Sequence, residues 1–229
     1  MPTYVFDDVF GDQRPGSNSP PPAYNPPSVG QWDNPPRGTC SGCTMNTNIK
    51  IPVDASQVMN GTWHTVTVNP GEPITNVTIT FTGTSVTAFC LLPPNLDSEF
   101  ITSQMNMTFE LDGKAVGTYQ RVAGPTATTW TYNQNVFSTS GLQNTAHTFV
   151  ISPQGQDGDP SQFPVNPYLF DSSFLPFDYI TYEAVVAAAA TATAAAAANV
   201  LLSVFGYPRS DNYTSTYVSQ RADTYKNWN

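Results

Sequence analysis

The chain has 229 residues, enough for one domain with flanking segments, and 39% of them are hydrophobic, enough for a core. Only 11% are charged, the net charge is -9 and the sequence pI is about 4.3. The 8 Lys and Arg are scattered and make no phosphate-tracking stripe, which excludes nucleic acid as a partner.

Thr, Asn, Pro and Ser take the place of charge, a balance that suits an all-β extracellular protein with Thr on pleated surfaces and the others in turns. Tyr4-Val5-Phe6, just before Asp7-Asp8, reads as a first strand. Residues 13–38 are dense in Pro, Gly, Ser and Asn and predict an irregular or polyproline-like loop, with Trp32 as an anchor plugged into the core edge. From Gly61 the pattern turns to period two: Thr62–Val68 alternates, Asn69-Pro70-Gly71 breaks it, and Ile74–Phe81 alternates again. Gly83 predicts a tight turn, Val86–Leu92 a more apolar strand and Pro93–Ser98 a loop. Met105–Leu111 closes on Asp112-Gly113, a strong hairpin pair, and Ala115–Val122 answers it. Trp130, Tyr132, Val136 and Phe137 frame the next strands; Thr148–Ser152 and Pro176–Tyr182 complete the set. About nine short strands at roughly ten-residue spacing predict an all-β sandwich or barrel over residues 1–183, with minor helix content.

Residues 184–203 change style. The run is Ala-rich, lacks Pro and Gly, and predicts a helix that ends before Gly206-Tyr207-Pro208. Its length matches the roughly twenty residues a bilayer needs. Alanine adds little to insertion, however, and Thr191, Thr193 and Asn199 oppose it, so a membrane span and a helix in water both stay open. Residues 204–229 form a polar, Tyr-rich tail.

Three cysteines allow several readings. Cys40-Ser41-Gly42-Cys43 lacks the βαβ context of a redox pair and the second pair of a zinc site. The expected role is one structural disulfide, either Cys40 with Cys43 or Cys90 with one of them, leaving one free or buried thiol. Sequons at Asn60, Asn76, Asn106 and Asn212 favour the secretory route. Met1–Asp8 reads as no leader peptide, and the expectation is that one lies upstream of this chain.

No catalytic constellation is readable. His64 and His147 sit at strand positions without a nucleophile elbow, and both are expected to be structural. Asp112 is explained by its turn and Asp178 by a role as a buried polar anchor that needs hydrogen-bond partners. Asp7, Asp8, Asp12 and Asp178 are oxygen donors of calcium hardness, but spacing alone assigns no site, and no metal or cofactor is expected. For sugar binding the candidates are Trp32, Trp130, Tyr132 and Tyr168, with Asn133 and Gln134 nearby; Trp130 and Tyr132 lie two residues apart and so face the same side of a strand. Trp63 is assigned to the core.

The ordered series Asp7-Asp8…Gly11-Asp12, Cys40-Ser-Gly-Cys43, Gly61-Thr-Trp-His64, Phe81-Thr-Gly-Thr84, Phe109-Glu-Leu-Asp-Gly113, Tyr132-Asn…Val136-Phe137, Gly141-Leu…His147-Thr and Phe177-Asp-Tyr-Ile180…Tyr182 resembles a family of basidiomycete surface proteins. Those carry one galactose-binding-like jelly-roll ectodomain, often followed by a single membrane span. The resemblance covers residues 4 to 183. It implies a jelly-roll β-sandwich at the cell surface and no particular reaction. The expectation drawn from it is a non-enzymatic module that binds glycans or cell-wall polysaccharide. A structural ectodomain with a protein partner is the alternative, and a hydrolase the least favoured reading. Here the Ala-rich run follows the last strand without the family's usual stalk.

Overall fold

A computed structural model describes residues 1–26, 32–33, 51–69, 75–96, 102–154 and 172–185, which fall in one unit, Met1–Val186. Nine strands account for nearly all of the regular structure among them: β1 Thr3–Asp7, β2 Gly11–Asp12, β3 Ala23–Asn25, β4 His64–Val68, β5 Asn76–Leu92, β6 Met105–Leu111, β7 Lys114–Arg121, β8 Thr131–Pro153 and β9 Ser173–Glu183. The two helical pieces are single 3-10 turns, Ala55–Gln57 and Met59–Gly61.

Two long strands build both layers. Val77 to Gly83 of β5 pairs with Ile151 to Thr145 of β8, while Ser85 to Leu92 pairs with Ser140 to Thr131. The first half is flanked by β3 on one side and extended through β6 to β7 on the other. The second half is flanked by β9, which carries β1 and β4 on its far edge, and β2 follows β1; this layer is the first sheet, and the layer of β3, β6 and β7 is the second. Every pairing is antiparallel, and the result is the expected all-β sandwich. Alternation decides what fills it. Val77, Ile79 and Phe81 point inward from the first half of β5, and Val86, Ala88 and Cys90 from the second; Met107, Phe109, Phe149, Ile151, Ile180 and Tyr182 meet them. Each buried Val, Ile, Phe or Met among them contributes about 1.5–3 kcal/mol on burial. A smaller core of Val58, Trp63, Leu91, Leu96, Trp130 and Phe174 lies on the other face of β5 and β9, where Leu91 and Phe174 alternate with Cys90 and Leu175 of the main core.

The Asp112-Gly113 turn is as expected. Both residues have positive φ (52° and 74°), the backbone that a two-residue hairpin of matching twist requires, and Asp and Gly adopt it at low cost. Trp32 packs against the edge of the main core, as its loop position suggested, and Trp63 is buried.

Three readings are corrected. Gly83 does not turn the chain: it lies inside β5, where the end of β9 passes so close that no side chain fits. Gly141 (φ 78°) likewise lies inside β8, where residues 141–144 bulge opposite Thr84 and let the strand change sheets. The nine strands are therefore not all short; β5 has 17 residues and β8 has 23. The stretch 13–38 is not wholly irregular, since Ala23–Asn25 pairs with Thr78–Asn76. Of the open alternatives for the cysteines, Cys90 is the free, buried thiol and does not bridge to Cys40 or Cys43, which lie outside the described residues. The Ala-rich run beyond Val185 and the tail also lie outside them. Among the described residues no helix is long and apolar enough to cross a membrane.

Candidate functional site

The first concentration of polar chemistry is internal. β1 ends in Asp7, and Asp8 follows at the turn into β2; both are buried. Asp7 Oδ1 accepts from the Val9 and Phe10 amides (2.9 and 2.8 Å), and its Oδ2 accepts from the Asn60 side-chain amide at 2.7 Å. Asp8 takes the Thr62 hydroxyl at 2.8 Å and pairs with His64 Nδ1 at 2.7 Å. Tyr24 stacks on the His64 ring at 3.8 Å and donates its hydroxyl to the Asp8 carbonyl at 2.7 Å. These bonds pin the N-terminal strand and β3 to the 59–64 segment.

Asp178 lies beside this cluster at an irregularity of β9: Phe89 faces Tyr179 and Cys90 faces Phe177, so Asp178 is skipped. It is fully buried (0% exposed) and neither carboxylate oxygen has a well-formed hydrogen bond. The Met59 amide approaches it and lowers its pKa somewhat. Burial, reinforced by the charges of Asp8 and Asp7, nonetheless pushes it up to about 8. Asp8 is also raised, by burial, although the His64 and Thr62 bonds work against this. The polar anchor expected at Asp178 is thus a buried acid without the partners such a role calls for. Among the described residues no set of three His, Cys, Asp or Glu could hold a metal ion.

The second histidine is a clamp. His147 Nδ1 lies 2.8 Å from Asp112 Oδ2, and its Nε2 lies 2.8 Å from the Gln143 carbonyl oxygen. Asp112 Oδ1 accepts from the Thr148 amide at 2.9 Å. With acceptors at both ring nitrogens the doubly protonated imidazolium is favoured. Burial lowers the His147 pKa, but the Asp112 and Gln143 bonds outweigh it and the net direction is up; the same bond to His147 holds Asp112 down. The stability His147 supplies is fully present below about pH 6.5 and is lost as pH rises through its raised folded value. By NMR titration of the imidazole, His147 is expected to titrate above 6.5 and to show both ring N–H protons at pH 6. A neutral tautomer at that pH would contradict the clamp. A ring nitrogen held by a carbonyl oxygen is not free to deprotonate a nucleophile, which supports the structural reading of this residue.

The third feature is on the surface. The outward positions of the first sheet bring Phe89 and Tyr179 together with ring centroids 4.6 Å apart and 13° between planes. Neither ring is part of the two core clusters, although Tyr179 is itself buried. Tyr179 is only 7% exposed and Phe89 is half-buried. The Tyr179 hydroxyl donates to Asn133 Oδ1 at 3.3 Å. Asn135 is paired directly with Phe89, and one row away Thr87 and Ser138 share a hydroxyl–hydroxyl bond of 3.0 Å beside Thr181. Asn133, Asn135 and Ser138 are exposed. Asn133 has positive φ (53°), and the β5–β8 register slips between Cys90 and Leu92 at this point.

The sequence candidates separate accordingly. Trp130 is 6% exposed, lies in the smaller core, and donates its indole N–H to the Ile51 carbonyl at 2.8 Å; it is a packing residue, not a ligand platform. Tyr132 packs beside it, half-buried, and its hydroxyl oxygen accepts from the Asp54 amide at 2.8 Å. The two do face the same side, but that side is the interior. Of the set, Asn133 joins the surface strip, and Tyr168 lies outside the described residues. Phe89 and Tyr179 went unnoticed. The alternation Thr87/Phe89 against Val86/Ala88/Cys90 marks Phe89 as outward, but nothing in the sequence joins it to Tyr179.

No family model and no curated protein matches the chain. Among solved structures it is similar to the catalytic domain of a GH87 alpha-1,3-glucanase in complex with tetrasaccharides (14% identity, TM-score 0.40, covering 84% of this chain and 30% of that one). It is also similar to a cycloisomaltooligosaccharide glucanotransferase of Paenibacillus sp. complexed with cycloisomaltoheptaose (14% identity, TM-score 0.34, covering 54% and 15%). A third is a family two carbohydrate esterase from Clostridium thermocellum in complex with cellohexaose (15% identity, TM-score 0.28, covering 50% and 25%). The chain spans less than a third of each. At such scores the likeness carries no functional argument, and function has to be read from side chains.

Proposed function

We propose that this chain is a non-catalytic carbohydrate-binding module of an extracellular or cell-surface protein, and that it holds sugar on the outer face of its first sheet. The observation that carries this reading is the half-buried Phe89 ring, backed by the buried Tyr179 on which it stacks and bordered by Asn133, Asn135, Thr87 and Ser138. A sugar ring has one apolar face and a rim of hydroxyls, so it asks for an aromatic surface beside amides and hydroxyls. Asn133 gives its carbonyl oxygen to Tyr179 and has two amide donors in addition. The surface origin rests on the basidiomycete resemblance and on the low-charge, Thr- and Asn-rich composition.

Binding to insoluble fungal wall polysaccharides and to a glycan array tests this. Phe89→Ala is expected to weaken binding roughly tenfold, about the worth of one aromatic contact, with the fold retained by circular dichroism. Unchanged binding in the variant, or no binding by the parent chain across the panel, would overturn the proposal. The second result would favour a protein partner, for which β7 offers an edge strand with Val116 and, just beyond it, Val122 exposed.

A further inference from the structure

The two outer faces of the sandwich differ in chemistry. On the second sheet the outward positions among the described residues include Thr78 and Thr80 of β5, Thr148, Val150 and Ser152 of β8, Thr108 and Glu110 of β6, and Thr118 and Gln120 of β7, with their inward neighbours packed on the main core. No aromatic ring stands among them. Two sequons lie on this same face. In Asn76-Val77-Thr78 and Asn106-Met107-Thr108 the Asn and Thr are two residues apart on one strand, so both point outward while Val77 and Met107 are buried between them. Both asparagines are half-buried rather than enclosed, and their side-chain oxygens make only long contacts, 3.4 Å from Thr78 and 3.4 Å from Gln120. One strand, β8, separates them, which places the two side chains on the order of 12 Å apart.

In the third described sequon, Asn60-Gly61-Thr62, Asn60 is exposed, but its side chain and that of Thr62 are both engaged by buried carboxylates. The Asn60 amide nitrogen, the atom a glycan would occupy, donates to a fully buried carboxylate at 2.7 Å, and Thr62 is buried with its hydroxyl on Asp8. A sugar on that nitrogen would replace one of its two N–H groups and compete with the bond to Asp7 that helps hold β1.

We propose that Asn76 and Asn106 carry N-linked glycans that cover the outer face of the second sheet, that Asn60 is bare in the folded protein, and that the aromatic face of the first sheet is thereby the one open to ligand. The proposal rests on the extracellular reading above. The test is expression of the full chain behind a secretion leader in a eukaryotic host, with occupancy read by glycopeptide mass spectrometry. Occupancy is expected at Asn76 and Asn106, Asn76→Gln and Asn106→Gln should each remove one glycan, and Asn60→Gln should remove none. Glycan on Asn60 in the folded, secreted product, or bare Asn76 and Asn106, would overturn it. Enzymatic deglycosylation separates this idea from the binding one. Polysaccharide retention should survive the loss of glycans; if it disappears with them, the assignment of the two faces is wrong. Failure of every form to bind polysaccharide would remove the binding proposal and leave the occupancy result standing.

Discussion

Asp178→Asn is expected to raise the melting temperature of the domain at pH 8 by roughly 10 °C, with the gain shrinking as the pH is lowered and vanishing near pH 3. The carboxyl of Asp178 is fully buried without a well-formed hydrogen bond, and burial lifts it to about 8. In the unfolded chain the same group ionises near 3.9. A folded value above the unfolded one means that folding takes up a proton. The contribution is therefore most favourable below about pH 4, and it is lost as the pH rises through about 8. A span of that size corresponds to about 5 kcal/mol as an upper bound, and for a domain of this length each kcal/mol moves the melting temperature by about 2–4 °C. The amide of Asn has the same shape and is neutral at every pH, so it removes the dependence rather than the packing. Asp8, also raised by burial, and His147, raised by its two acceptors, have the same sign. Parallel thermal melts of both proteins from pH 4 to pH 8 check this. Equal melting temperatures at pH 8 would mean that Asp178 is ionised and solvated after all.

Gly83→Ala is expected to cost about 3 kcal/mol, the upper range for forced overpacking. A Cβ at this position would press into the Glu183 carbonyl oxygen and stand 2.9 Å from the Tyr182 ring. The obstruction is backbone on one side and a fully buried ring on the other, so neither can step aside cheaply. Relief requires the end of β9 to leave β5, where Ser85 faces Glu183, and that in turn loosens Tyr182 from the Asp12 carboxylate to which its hydroxyl donates at 2.7 Å. Chemical denaturation measures the loss. Gly113→Ala, where nothing lies within 4 Å of the added carbon, separates steric crowding from the strain of its positive φ.

Where the sequence spoke through local chemistry it was read correctly. Asp112-Gly113 has one favoured backbone, period-two alternation sorts each residue to one of two faces, and Trp32 in a Pro-rich loop has little to pack on except a core edge. It was misread where a residue's reason lies far away in the chain. Gly83 resembles a turn glycine, yet it is small because of Glu183, a hundred positions later. Trp130 resembles an exposed platform until the Ile51 carbonyl claims its N–H. The sharpest case is the surface strip. Phe89, Asn133 and Tyr179 come from three strands, and only the register of β5 with β8 and β9 brings them together. Asn60 fits a sequon by its neighbours alone; its bond to Asp7 spans 53 positions and leaves no local trace.

The pairing of the first strand with the last has a mechanical consequence. Thr3 lies opposite Glu183, and the register runs antiparallel from there to Asp7 and Tyr179. A pull applied between the start of β1 and the end of β9 therefore acts across the ladder, on one backbone bond at a time, and opens it like a zipper. Strands loaded along their length would share the force among all their bonds. Under tension at its two ends the β1–β9 ladder opens from Thr3 and Glu183 toward Asp7, whose bond to Asn60 is then loaded in turn.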